Sequence, residues 1–450
     1  MKKMSAGLLS ILLVFAVLLG CSSKSSNTGG AGGSDSVNNA GSSQTDSGNA
    51  SNEVVHLKFW GGVPAEAGPQ QVVDEWNKTH PNIQVEYVRY VNDDSGNLKL
   101  DTALVSGQNV DLYASYTKPY LDKRVAAGAA LDLGTFGDYD IDEKMGPAAQ
   151  EWLVDGKYYA IPTKRNMHFV WLNLDALEEA GLPVPTDWSM EDVEEYAKAL
   201  KTDSRWGYAT FPIYREIVPV DGSMAEKGYV KEDGTSNFDE PIVRDALEAY
   251  YNMMNVSKTY PPLSLVETTK MDFTSMFLKG ELAIYNAGEW VFRDANNLTD
   301  HPRDFKIAFA PLPRITKDQT DYRYLGGLGD AISINAKSKH QKEAWEFLKW
   351  YADGGMMPQA AGGRIPASKD ADQSQALELL LGAAKDTYDV PSLEAILNST
   401  FPTFQFSLPQ EVHDKRKSEI DKYYIGEQSL DDTIKNIVAV HNDYLARNAQ

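Results

Sequence analysis

Between Val55 and Ser115 the spacing of apolar residues switches repeatedly between two periods, and this alternation constrains the fold more than any other feature of the chain. Val55, Leu57 and Phe59 alternate with His56, Lys58 and Trp60, the period of a half-buried strand, which stops at Gly61-Gly62. Gly68-Pro69 then opens a helix whose Val72, Val73 and Trp76 share a face, and His80-Pro81 closes it. Ile83, Val85 and Tyr87 form a second alternating run. Leu98 to Ser106 predicts a helix with Gly107 as its stop, and Val110 to Ala114 a third short strand. Strand, helix, strand, helix, strand is the opening of a doubly wound α/β domain. In such sheets ligands lie beyond the carboxyl ends of the strands. Those ends are Trp60-Gly61-Gly62, Tyr90 and Ser115-Tyr116.

The N-terminus carries a different message. Lys2 and Lys3 precede an apolar run from Leu8 to Leu19, with Gly20 and Cys21 directly after it. A charged start, a short apolar stretch and a small residue before the cut define a secretory signal, and about 12 apolar residues are too few for a spanning helix, which needs about 20. Leu18-Leu19-Gly20-Cys21 is similar to a bacterial lipobox, in which the Cys21 thiol is acylated and residues 1–20 are removed. Cys21 is the one cysteine of 450 residues, so the chain forms no internal disulfide. Residues 21–52 are almost wholly Ser, Gly, Asn, Ala, Asp and Thr and cannot repay the entropy of ordering. Such a linker spans roughly 30 Å and holds a folded body near the outer face of the cytoplasmic membrane. A net charge of −21, from 43 Lys plus Arg against 64 Asp plus Glu, argues against nucleic acid as a partner.

Later segments are helix-rich. Gly156 to Pro162 reads as a turn into a strand, His168 to Asn173 as a strand, and Leu174 to Ala180 as a helix closed by Gly181. Ser189 to Leu200 carries an N-cap Ser with Asp192 at the third position. Pro241 to Asn255, Asp272 to Leu278, His340 to Asp353 and Asp431 to Arg447 also carry helical periodicity.

Several segments, in order, carry a likeness to one family. They include Trp76-Asn77-Lys78-Thr79-His80-Pro81-Asn82-Ile83, then Gly156-Lys157 with Tyr159, Ile161 and Pro162. Trp171, Asn173, Asp175, Leu177, Ala180-Gly181-Leu182, Pro185 and Trp188 follow. Phe277, Gly280, Leu282-Ala283, Gly288 with Trp290, Pro311 with Pro313, Gly326-Gly327 and Arg364-Ile365-Pro366 complete the set. In this order and spacing the chain resembles the extracellular solute-binding proteins of carbohydrate ABC importers. The resemblance implies a two-lobed periplasmic-binding-protein-like α/β fold with a cleft at a multi-strand hinge. It places crossings near Arg165 to Val170, Asp321 to Leu325 and Ala371 to Leu377. One lobe would comprise 53–166 with 325–375, the other 167–324 with 376–450. It further implies a monomer, closing on a ligand and docking on the transmembrane subunits of a permease, with no catalysis and no cofactor.

A sugar ring offers an apolar face and a rim of hydroxyls, so aromatic platforms and hydrogen-bonding side chains are the expected contacts. Trp60 stands at a strand end beside Gly61 and Gly62, which admit backbone to a ligand. The resemblance makes Trp290 a stacking residue from the second lobe and aims Asn166 at the cleft, where relatives often carry a carboxylate. Arg165, Ser115, Tyr116, Glu289, Gly327 and Arg364 complete the candidate ligand contacts, with Asp330 behind them. Trp76, Trp345 and Trp350 read as core, and Trp188 as part of a turn. A secreted glycoside hydrolase is the rival reading, since it too combines aromatics with carboxylates. No Gly-x-Ser-x-Gly, His-Glu-x-x-His or Walker A pattern occurs. Asp138, Asp140 and Asp142 alternate like part of a calcium loop but lack its glycine and closing Glu, and read as a solvated loop.

Overall fold

A computed structural model describes residues 54–448 apart from 213, 214, 216, 217 and 400, so the signal segment, Cys21 and the linker lie outside the described residues. Strands β1 (Val55–Gly61), β2 (Ile83–Arg89) and β3 (Leu112–Ser115) are parallel, joined by the helices Pro69–Thr79 and Asp94–Ser106. The first of these helices buries Val72, Val73 and Trp76 and ends at His80, before Pro81. The second starts a turn earlier than its periodicity indicates, because the Asp93 side chain caps it by accepting from the Gly96 N–H, and it stops at Gly107 in the left-handed conformation.

Two strands from far along the chain complete this sheet. They are β4 (Ile161–Arg165) and β10 (Leu328–Ile334), and the order is β2-β1-β3-β10-β4 with β10 antiparallel to both neighbours. The sheet is therefore mixed, and β4 runs in the same sense as β1. On one face Leu57 and Phe59 pack against Trp76, Phe347 and Tyr351, while on the other Trp60 packs with Tyr90, Leu104 and Tyr113.

A second sheet is built from β5 (His168–Asn173), β6 (Trp206–Thr210), β7 (Leu282–Gly288) and β8 (Ile307–Ala310), in the order β6-β7-β5-β8. Here β5 is antiparallel to β7 and β8, and β6 is parallel to β7. Its core is aromatic, with Phe169, Trp171, Phe292 and Phe309 in mutual contact. The helix Met190–Leu200 enters through a complete capping box between Ser189 and Asp192, as its sequence indicates. The C-terminal helices Gln410–Tyr424 and Leu430–Asn448 pack on each other and add Val412, Ile420, Tyr424 and Ile437 to this core. The result is a two-lobed α/β fold with mixed sheets. Among the described residues no helix is long and apolar enough to cross a membrane.

The segments between the sheets lie side by side. β4 leads into β5 through Asn166-Met167, and a short strand β9 (Tyr324–Leu325) leads into β10. β9 pairs with β11 (Thr403–Phe404), while Pro366 bridges Lys164 and the Arg165 N–H donates to the Ile365 carbonyl at 2.9 Å.

Candidate ligand cleft

Both sheets present matching ends toward these connecting segments. From the first come the carboxyl ends of β1, β3 and β4 and the start of β10, since β10 runs the other way. From the second come the carboxyl ends of β6, β7 and β8 and the start of β5. Ends of parallel strands converging on a crossover are the usual seat of a ligand in α/β sheets.

At the end of β1, Gly61 and Gly62 are glycines because two tyrosines close over them. A Cβ on Gly61 would lie 2.6 Å from the Tyr87 hydroxyl, and the Gly62 N–H donates to the Tyr116 hydroxyl at 2.6 Å. Tyr116 is half-buried, and burial, reinforced by the Asp330 carboxylate, pushes its phenol up to about 12. Trp60, expected at the ligand, is instead a core residue at 7 % exposure. The pleat decides this: successive side chains alternate faces, so Phe59 and Gly61 share one side and Trp60 goes to the other, against Leu100 and Tyr113. Ser115 is likewise buried, its hydroxyl accepting from Arg124 Nη1 at 2.8 Å, while Arg124 also binds Asn97 and Asp101.

Four charges, three of them buried and Arg364 half-buried, tie the two sheets together. Lys164 at the end of β4 is ion-paired to Glu289, which follows β7, and lies 3.8 Å from Asp330 on β10. Arg364 donates from Nε to Asp330 Oδ2 at 3.0 Å. Glu289 is completely buried and its second oxygen accepts the Met167 N–H at 3.0 Å, so its expected role toward sugar hydroxyls gives way to a structural one in this conformation. Burial disfavours the Arg364 charge, yet Asp330, followed by Tyr116 and Glu289, holds its pKa above the ordinary value. Asp330 itself adopts a φ of +46°, a left-handed conformation that a non-glycine residue holds only when its surroundings impose it.

On the second lobe Trp290 is half-buried and makes edge contacts with His168 and Phe211, with ring centroids 5.4 and 5.3 Å apart. A side chain at Gly288 would collide with the indole, so the glycine makes the seat in which Trp290 rests. Desolvation, with a further contribution from Lys164, pushes His168 down to about 3, so the imidazole is neutral. Sequence reasoning missed Lys164, His168 and Phe211; the signal for Lys164 was its place two residues after Pro162 on a strand that alternates toward the crossing.

Asn166 braces the crossing: its side-chain N–H donates to the Leu328 carbonyl at 3.0 Å and its backbone N–H to the Gly327 carbonyl at 2.9 Å. Gly327 has a φ of +80°, and a Cβ there would meet the Gln405 amide at 2.8 Å. Arg165 points to the opposite side of β4 from Lys164, into a cavity of about 200 Å³ shared with Asn166, His168, Tyr324 and Phe401. The acidic loop is engaged elsewhere: Asp138 accepts from the Trp345 indole, Asp140 caps a helix, and Asp142 accepts from the Tyr158 hydroxyl.

The profile of a family described as bacterial extracellular solute-binding protein matches residues 61–355. A multiple sugar-binding protein of Streptococcus mutans is 22 % identical over 301 residues, 63 % of this chain and 68 % of that protein. Among solved structures, an ABC substrate-binding protein of Listeria monocytogenes in complex with cycloalternan superposes with a TM-score of 0.73 at 20 % identity, covering 88 % of this chain and 100 % of that one. A maltose/maltodextrin-binding domain of Bdellovibrio bacteriovorus bound to maltotriose gives 0.68 at 17 % identity, with 87 % and 100 % covered. With well over half its length matched by the profile, and with two mixed sheets presenting their strand ends to a common crossing, the chain belongs to the bacterial extracellular solute-binding proteins.

Proposed function

We propose that the protein is the lipid-anchored receptor subunit of an ABC importer, capturing a carbohydrate, specifically an oligosaccharide, between its lobes and handing it to the permease. Residues 53–166 with 325–375 would move against 167–324 with 376–450, tethered by acylated Cys21 and the linker behind it. The observation that carries this reading is the seating of Trp290 at the carboxyl end of β7, next to His168 and Phe211 and across the crossing from Tyr116 and Arg364. An aromatic face with polar groups around it suits a pyranose ring. Gly61, Gly62 and Gly327 shape the surrounding backbone, Asn166, Arg165 and Arg364 supply donors, and Ser115 and Glu289 support them from below.

Closure requires that the ligand bind the closed form more tightly than the open one, so contacts must come from both lobes. The rival reading, a glycoside hydrolase, is less well supported. Hydrolysis needs one carboxyl free to give a proton and a second open to the sugar. Glu289 and Asp330, two carboxylates at the crossing, are each held by a cation.

Titration with a glycan panel, read by intrinsic Trp fluorescence and by product analysis, tests the proposal. Saturable binding without turnover is expected, and Trp290→Ala should weaken it at least about tenfold, by loss of the aromatic platform. Turnover of a glycan would favour the hydrolase, and an unchanged affinity in Trp290→Ala would remove the central site assignment.

A further inference from the structure

Along the β4–β5 crossing the hydrogen bonds pass from one sheet to the other at a single peptide link. Asn166 is bonded to the start of β10 and the residue before it, its amide donating to the Leu328 carbonyl at 3.0 Å and its backbone N–H to the Gly327 carbonyl at 2.9 Å. Met167 is bonded to the end of β7: its N–H donates to Glu289 Oε2 at 3.0 Å and its carbonyl accepts the Glu289 N–H at 3.1 Å. A rotation of one lobe against the other is absorbed where a few such residues change partners, so the Asn166–Met167 link is the pivot of this crossing. Lys164, two residues before it, reaches across the pivot to pair with Glu289.

A second carboxylate stands behind the same ammonium, on its own sheet. Asp330 Oδ1 lies 3.8 Å from Lys164 Nζ, while Oδ2 is taken by Arg364 Nε at 3.0 Å. The φ of +46° at Asp330 shows that its surroundings hold it in place against its own preference. Lys164, a compact charge on a flexible four-carbon stem, thus faces a carboxylate in each lobe. We propose that Lys164 is a latch with two positions. Paired with Glu289 it holds the lobes in the arrangement seen in the structure, and as they part it turns back to Asp330, so opening strands no buried cation. Glu289 directly precedes Trp290, which ties the latch to the seat of the ligand. This rests on the two-lobed capture proposed above and adds what sets the balance of open and closed forms before a ligand arrives.

Solution scattering from the ligand-free full-length protein, with thermal melts as a check on folding, tests it. Glu289→Gln keeps an acceptor for the Met167 N–H but releases Lys164, and should shift the radius of gyration upward. Asp330→Asn removes the partner of the parted state and should leave the radius equal or smaller, although both variants lower the melting temperature. Two residues that only supported packing would not shift the radius in different directions. In a Lys164→Met, Glu289→Gln background the latch is gone, and adding Asp330→Asn should change the radius no further. If Glu289→Gln melts below the measuring temperature, Glu289→Asp, which withdraws the carboxylate by one methylene, takes its place with the same expectation. An unchanged radius in the Glu289 variant, or an equal increase in both single variants, would overturn the inference. No glycan enters the measurement, so that result would leave the carbohydrate reading intact, whereas binding of no glycan by the wild-type protein would remove that reading instead.

Discussion

Lys164 sits between two carboxylates at 6 % side-chain exposure, and its partner Glu289 is fully buried. Removing such a cation leaves a carboxylate with neither solvent nor counter-charge, which costs far more than the intact pair contributes. Lys164→Met is therefore expected to destabilise the protein by about 3–5 kcal/mol, seen as a lowered denaturation midpoint. Adding Glu289→Gln should recover most of that loss, because the amide oxygen can still accept the Met167 N–H while the stranded charge is gone. A double variant no more stable than Lys164→Met would show that the pair is not what makes the site costly to break. Arg165, one residue on, behaves oppositely, since its side chain has no ion-pair partner among the described residues. Neighbours in sequence thus differ completely in environment, and only the pleat of β4 separates them.

The helix Gln410–Tyr424 shows how an element is held in place and where pH would loosen it. Arg416 grips Asp221 of the helix Val218–Lys227 with two bonds of 2.7 and 2.9 Å, and its Nη2 donates to His413 Nδ1 at 3.2 Å. Arginine has no acceptor, so His413 must keep Nδ1 unprotonated. Burial, followed by the Arg416 charge, pushes His413 down to about 4. An unfolded histidine takes up its proton near pH 6.5 while the folded one resists to about 4. Stability from this contact is whole above pH 6.5, is lost as the pH falls toward 4, and changes no further below that. Thermal melts across that range should show a shallower acid limb in His413→Gln; an identical limb would assign the titration to another group. Strand and helix identities were largely legible beforehand, since period and caps are local. The π-helical turn Asn252–Val256, continuing the helix Pro241–Tyr251, covers the rest of the Pro241 to Asn255 stretch that helical periodicity indicates.

At the scale of the molecule the crossing segments carry the proposed motion. Shifting lobes from 1:99 to 99:1 in favour of closure requires about 10⁴-fold tighter binding to the closed form, more than one lobe's contacts alone can bias. Solution scattering should show a smaller radius of gyration with a saturating glycan than without, and no change with a glycan that does not bind. An unchanged radius at saturation would argue that capture does not proceed by closure. What the sequence by itself determined is the local and the ordered: the lipobox-like segment ending at Cys21 and the polar stretch behind it, the alternation that opens the first sheet, the caps, and the string of short segments that resembles a solute-binding protein. Tertiary structure alone decided that β10 joins the first sheet antiparallel between β3 and β4, because its partners lie more than 150 residues away and pairing leaves no local mark. It also decided that Trp60 faces the core, that Glu289 meets Lys164, and that Arg165 takes the other side of β4. These depend on which face of a strand a side chain takes and on what distant segment arrives there, and composition and spacing do not specify either.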